Sequence, residues 1–111
     1  MREGGVDAVH VTIAYHETFR EMVANIEQWN RWFEAFPQLI CHGRSGNDVR
    51  RAKKDGRTAI IFGFQNPSPI EDDIGLVEIC HMLGVRFMQL TYNNQSLLAT
   101  GCYETEDGGI T

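Results

Sequence analysis

The sequence has no apolar run approaching the ~20 residues that a helix needs to span a bilayer, so no membrane span is expected. The opening residues 1–5 include no apolar signal segment, and nothing there indicates export. Basic residues are also few, because 10 Lys and Arg stand against 15 Asp and Glu and give a net charge of −5. Binding to nucleic acid usually needs a basic face, so a nucleic-acid partner is not expected.

Cysteine is sparse and unpaired in pattern. Cys41, Cys80 and Cys102 are odd in number and form no CxxC pair, which is typical of neither a disulfide framework nor a structural zinc site. Free thiols indicate a cytoplasmic protein. None of the four histidines pairs with a ligand residue at metal-binding spacing, so the residues alone predict no zinc site. His10 alternates with apolar neighbours, which favours a histidine in the core.

The middle of the chain reads as a strand, a helix and a second strand. Residues 58–64 form an apolar run of strand length. Residues 68–71 combine a capping serine, a proline in the first turn and a glutamate, which predicts a helix start, and Gly84 would end the helix. A second strand is predicted over residues 85–92. Two buried strands joined by a helix predict a parallel β-α-β unit.

A second capping box predicts a longer helix upstream. Thr18 and Glu21 can satisfy each other's backbone N–H groups at its start. An aromatic stripe at such spacing could form a ligand groove, but packing on a sheet is the favoured interpretation. The apolar positions recur at three- and four-residue steps: Phe19, Met22, Val23, Ile26, Trp29, Phe33 and Phe36.

The remaining segments complete an alternating pattern. Residues 9–15 are rich in β-branched side chains and predict a strand, and residues 38–42 are compatible with a short one. Ser45 opens a brief helix whose basic residues either bind an anion or form a solvated face. Residues 93–111 read as a long loop. The sum is an α/β chain of the form β-α-(β)-α-β-α-β.

Both central strands end in polar residues. Gln65 and Asn66 follow the first, and Asn93 lies in the polar stretch after the second. Carboxyl ends of neighbouring parallel strands share one face, where ligands bind. Asn66 and Asn93 could therefore hold polar groups of a substrate, although both could equally cap turns.

Several segments carry a family resemblance in their order and spacing: Gly4-Gly5-Val6, Phe36-Pro37, Gly63-Phe64-Gln65-Asn66, Leu83-Gly84-Val85-Arg86-Phe87, Leu90-Thr91-Tyr92-Asn93 and Gly109-Ile110-Thr111. Over its whole length the chain resembles the membrane dipeptidase (renal dipeptidase) family of zinc-dependent peptidases. The resemblance implies a partial (β/α)₈ barrel of about three to four βα units with parallel strands. Residues 1–111 would be one fragment of that barrel domain, since a closed barrel typically needs about 250 residues.

The resemblance also implies a site. In the family two zinc ions at the barrel rim hold a hydroxide that attacks the dipeptide carbonyl. Gln65 stands where the family has a bridging glutamate ligand, and its neutral amide should hold two cations poorly. Tyr92 stands where the family has a substrate-binding histidine, and it can donate a hydrogen bond to a carbonyl or an oxyanion. Gln65 and Tyr92 are thus the implied catalytic positions, with Asn66 and Asn93 beside them for substrate.

The implied function is part of a zinc metallopeptidase that hydrolyses dipeptides or related small amides. The chain alone is expected to be inactive, because the family's other metal ligands fall outside it. The alternative is a non-catalytic barrel remnant that serves as a small-molecule binding or assembly module. An open sheet edge would then favour a homo-oligomer.

Overall fold

Every strand pair in the sheet is parallel, and helices alternate with the strands. The computed structural model describes Met1 and residues 3–111. Across this part of the chain no helix combines the length and the apolarity that crossing a membrane requires. The pattern confirms the predicted α/β fold. The elements in chain order are β1 (Ala8–Ala14), α1 (Phe19–Ala35), β2 (Ile40–His42), α2 (Gly46–Lys54), β3 (Thr58–Phe64), a 3-10 turn (Ser68–Ile70), α3 (Leu76–Met82) and β4 (Val85–Met88).

Strand β3 is the centre of the sheet. On one side β1 pairs with every residue of β3 after Thr58, with one irregularity between Thr12 and Ala14. On the other side β2 pairs with its first residues, where Ile40 aligns with Thr58, and β4 pairs with its last residues, where Val85 aligns with Phe62. The carboxyl ends of β1, β3 and β4 therefore lie at one end of the sheet.

The helices cover one face of this sheet and form the core there. Val11 of β1 aligns with Phe62 of β3, and both belong to the same apolar cluster. Helix α1 begins as predicted, because the Thr18 hydroxyl accepts the Glu21 N–H at 3.2 Å and the Glu21 carboxylate accepts the Thr18 N–H at 2.8 Å. The predicted apolar stripe of α1 packs on the sheet apart from Phe36, which is 49% exposed beyond the helix end.

The opposite face carries no helix, and His10 lies there. The prediction of a core histidine is wrong, since His10 is exposed and its ring packs edge-on against Phe87 at 5.4 Å. Side chains alternate between the two faces of a strand. The odd-numbered positions of β1 enter the helix-side core, so His10 falls on the other face.

Two predicted boundaries after β3 are also wrong. The Ser68 hydroxyl donates to the Glu17 carbonyl at 2.9 Å instead of capping a helix, and α3 begins only at Leu76. Glu71 interrupts the helical path with a φ of 52°. Strand β4 stops at Met88, not residue 92, because β3 has ended and offers no further partner after the Gln89 N–H reaches the Phe64 carbonyl.

Candidate functional site

A cavity of about 570 Å³ opens at the carboxyl end of the sheet. Its volume lies in the range of small-molecule sites. Residues after β1, residues after β3 and the loop 93–98 form its walls. They are Tyr15, His16, Asn66, Pro67, Ser68 and Glu71, together with all six residues of the loop 93–98.

Tyr15 connects the end of β1 to the segment after β4. Its hydroxyl accepts the Asn93 side-chain amide at 3.4 Å. Its ring meets the Tyr92 ring edge-on, with centroids 5.6 Å apart. Edge-to-face contacts of this kind add to the stability of an aromatic pair. Tyr15 therefore orients two residues that lie more than seventy positions away in the sequence.

The turn after β1 is held by Glu17. Its carboxylate accepts the backbone N–H groups of Tyr15 and His16. Burial raises the pKa of Glu17, but these N–H groups stabilise the anion more strongly, so the pKa lies below its ordinary value. The Glu17 carbonyl accepts the Ser68 hydroxyl, which connects this turn to the one after β3. The wall after β1 and the wall after β3 are thereby fixed to each other.

The long C-terminal segment supports the loop from outside. The N–H of Cys102 donates to the Tyr92 carbonyl at 3.1 Å, and the N–H of Tyr103 donates to the Asn93 carbonyl at 2.7 Å. A Cβ on Gly101 would overlap the backbone of Asn93 and Asn94, so only glycine allows this close approach. Residues 93–111 are thus an ordered loop with backbone contacts of its own.

The four predicted site residues occupy different places. Asn66 and Asn93 both line the cavity. Tyr92 lies beside it against Tyr15 and is 39% exposed. Gln65 is partly buried directly after β3, where its N–H donates to the Ala14 carbonyl at 3.0 Å. Strand alternation puts Gln65 on the helix-free face, away from Asn66.

The residues described here do not fit a complete zinc site. No group of three His, Cys, Asp or Glu side chains among residues 1 and 3–111 could hold a metal ion. Gln65 offers one neutral amide oxygen, whereas a zinc site is normally built from thiolate, imidazole and carboxylate ligands. This part of the chain can contribute to a metal centre only together with ligands from elsewhere.

Sequence reasoning missed several polar residues of the cavity, among them Tyr15, His16 and Glu71. Tyr15 and His16 follow β1 directly, and the rule about strand ends would have found them had it been applied to this strand as well. In the sequence Glu71 belongs to the predicted helix start at residues 68–71 and to a run of three acidic residues, and favourable interaction with the helix dipole accounted for both. Its position at the cavity depends on the turn before it.

The family model for membrane dipeptidase (peptidase family M19) matches residues 1–111. The crystal structure of an amidohydrolase from Pseudomonas aeruginosa superposes with a TM-score of 0.94 and 43% identity, covering 99% of this chain and 34% of that one. The probable dipeptidase PvdM from Pseudomonas aeruginosa superposes with a TM-score of 0.74 at 18% identity, over 85% of this chain and 27% of that one, which shows likeness of fold.

Two further proteins resemble the chain in sequence. The dipeptidase verJ of Clonostachys rogersoniana is 25% identical over 89 residues, which are 80% of this chain and 23% of that protein. The dipeptidase tcpJ of Claviceps purpurea (strain 20.1) is 25% identical over 91 residues, which are 82% of this chain and 20% of that protein. The chain therefore spans about a fifth to a third of the length of these relatives. Together with the parallel sheet, the structural matches confirm the predicted partial (β/α)₈ barrel.

Proposed function

The chain belongs to the membrane dipeptidase family (peptidase family M19), and from this premise we propose that it supplies part of the barrel of a metallopeptidase. The reaction would be hydrolysis of a dipeptide or a related small amide. Residues 1–111 would form one fragment of the barrel domain and contribute the substrate side of its rim. The other walls of the site would come from the parts of the barrel that this chain does not span.

The cavity beside Asn66 and Asn93 is the observation that carries this proposal. An asparagine amide both donates and accepts hydrogen bonds, which matches the N–H and C=O groups of a peptide bond. The Asn93 amide is oriented by the Tyr15 hydroxyl, so it is held before a ligand arrives. Such preorganisation reduces the entropic cost of binding.

Tyr92 would act beside this pocket, and Gln65 would act at the same end of the sheet but on its helix-free face. The Tyr92 phenol can donate a hydrogen bond to a substrate carbonyl or to the oxyanion that forms from it. Zinc in the intact protein would supply an activated hydroxide. Gln65 would lie near that metal as a neutral group. Its amide oxygen would offset less of the positive charge of the metal than the carboxylate of a glutamate would.

The neutral side chain of Gln65 favours a second candidate, a non-catalytic module for small-molecule binding or assembly. In the described residues β1 and β4 each pair only with β3, so each presents an open edge. Open edges promote pairing with another chain, which supports a homo-oligomer. A discrete oligomer without metal would favour this candidate, and one or two zinc ions per chain would exclude it.

A turnover assay separates the two. The protein at its native length is incubated with zinc and a broad panel of dipeptides, with and without a chelator. We expect hydrolysis that the chelator abolishes, and we expect Gln65→Glu to raise zinc content. Gln89→Glu is the matched control, because it adds the same charge after the neighbouring strand β4. Absence of turnover in the wild type and in Gln65→Glu alike would contradict the peptidase proposal.

A further inference from the structure

The charged groups around the rim cavity are unbalanced. Among the described residues that line it, Glu71 is the sole carboxylate, and neither lysine nor arginine contributes. The basic residues of α2 lie elsewhere, and three of the ion pairs in the described part of the chain use the α2 segment or Arg57 while the fourth lies on α1. The cavity therefore offers a carboxylate to a ligand, with His16 as the only histidine and with no lysine or arginine among the described residues that line it.

Glu71 itself is held in place by its backbone. It has a φ of 52° and a ψ of −128°, and it is the one non-glycine residue with positive φ in the described chain. Its N–H donates to the Ser68 carbonyl at 3.1 Å. Such a conformation persists only where the surroundings impose it, and here Pro69 and Ile70 are buried directly before it. No side-chain ion pair to another described residue occupies its carboxylate.

An apolar wall completes the pocket. Leu97 and Leu98 line it from the loop, and Leu97 is 67% exposed, so its side chain is available to a ligand. Asn66 and Asn93 supply amide groups on the same cavity. A carboxylate, two amides and two leucines thus face one space of about 570 Å³.

We propose that this cavity binds a small molecule that carries a primary ammonium next to an apolar side chain and an amide. Glu71 is the counter-ion of the ammonium, the leucines contact the apolar side chain, and the asparagines hydrogen-bond the amide. The net charge of −5 adds to the preference for a cation. The identity of the natural ligand depends on the proposed function. If the protein is a dipeptidase, the ammonium, the apolar side chain and the amide belong to the amino end of its substrate.

The probes are leucinamide, which has all three groups, and N-acetylleucinamide, which lacks the ammonium. Binding of each to the protein at its native length is measured by calorimetry or NMR titration, so no turnover is needed. We expect acetylation to weaken binding about fivefold, the effect of one partly exposed ion pair. Equal affinities for the two probes, or no binding of leucinamide at millimolar concentration, would overturn the proposal.

Three variants test whether the preference for the ammonium probe depends on Glu71. Glu71→Gln keeps the shape of the side chain and should remove the difference between the probes, while Glu71→Asp should retain most of it. Asp72→Asn is the matched control, because Asp72 is exposed next to Glu71 and does not line the cavity. If Asp72→Asn reduced the difference in affinity between the two probes as much as Glu71→Gln does, the proposal would be overturned. The preference for the ammonium would then come only from the overall negative charge of the protein. Thermal unfolding of each variant checks that the fold is intact.

The binding titrations and the turnover assay can fail independently of each other. Dipeptide turnover without any Glu71-dependent preference would contradict the binding proposal alone. A Glu71-dependent preference without turnover would contradict the peptidase proposal alone.

Discussion

The imidazole ring of His10 lies over Gly63 so closely that a Cβ on Gly63 would overlap it. The same ring packs edge-on against Phe87. One exposed side chain thus connects β1, β3 and β4 on the face of the sheet that has no helices. Gly63 is required for this arrangement, because only glycine leaves room for the ring.

Gly63→Ala tests this contact. The exposed His10 ring would swing away and lose its packing on Phe87, and we expect a cost of about 1 kcal/mol in the free energy of unfolding. In a His10→Ala background the same substitution should cost nothing, since the obstacle is gone. Urea unfolding of the four proteins gives the coupling. If the effects of Gly63→Ala and His10→Ala on the free energy of unfolding were additive in the double variant, the contact between the two residues would be contradicted.

Two structural features require glycine at position 84. Its φ is 104°, and a Cβ there would overlap the His42 ring. His42 cannot easily move away, because its ring packs against both Phe33, with centroids 5.5 Å apart, and Phe62, with centroids 4.1 Å apart. We expect Gly84→Ala to destabilise the fold by about 2–4 kcal/mol.

Gly109→Ala is the matched control for Gly84. Gly109 has a φ of 74° with nothing within 4 Å of an added Cβ, so it carries the backbone cost alone. That cost should be about 1 kcal/mol. Thermal unfolding compares the two variants, and equal losses would show that the His42 contact contributes nothing.

His42 should make stability depend on pH. Burial, followed by the charge of Arg44, lowers the pKa of His42 from 6.5 to about 4. Above pH 6.5 the imidazole of His42 is neutral in both the folded and the unfolded protein. Between pH 6.5 and 4 the imidazole takes up a proton in the unfolded protein but not in the folded protein. Stability is therefore lost as the pH falls through this window.

The full pKa shift of His42 corresponds to about 3 kcal/mol, and solvent screening at this partly exposed ring reduces the expected loss to roughly 1–2 kcal/mol. His42→Phe keeps an aromatic ring packed against Phe33 and Phe62 and should flatten the pH profile between pH 6.5 and 4. Denaturant unfolding at several pH values measures it. An unchanged slope in His42→Phe would assign the loss to other groups.

Tyr15→Phe should weaken substrate binding more than it slows the chemical step. The variant keeps the ring against Tyr92 but removes the hydroxyl that accepts the Asn93 amide. We expect KM for a dipeptide to rise about fivefold with little change in kcat, because one hydrogen bond that orients a binding group is lost.

Two controls accompany Tyr15→Phe. In an Asn93→Ala background it should have no further effect on KM. Tyr103→Phe removes a hydroxyl from a residue that is 72% exposed and should leave both constants unchanged. A fall in kcat with unchanged KM would contradict a positioning role for Tyr15.

Local signals predicted the elements whose interactions are themselves local. Thr18 and Glu21 cap α1 as the sequence indicated, and Ser45 caps α2 through the Asp48 N–H at 3.2 Å. Ser68 has a similar motif, yet its hydroxyl bonds to Glu17, 51 residues away, so the helix does not start there. A tertiary partner overrode the local preference, and the sequence contains no sign of it.

The cavity was predictable in part. Because parallel strands end on one side, Asn66 and Asn93 were expected to converge, and both line the cavity. The contact from Tyr15 to Asn93 joins residues 78 positions apart and depends on the exact register of β1 on β3. Glu71 reaches the cavity through a backbone conformation that glutamate rarely adopts.

We propose that this chain acts as part of a larger dipeptidase-like barrel, and the intact mass of the protein from its source tests this most directly. We predict about two to three times the 12.6 kDa of this chain, roughly the size of a whole barrel. That result would leave room in the same protein for the rest of the barrel and for the further metal ligands that we propose it carries. A mass of 12.6 kDa would contradict the claim and leave binding or assembly as the function.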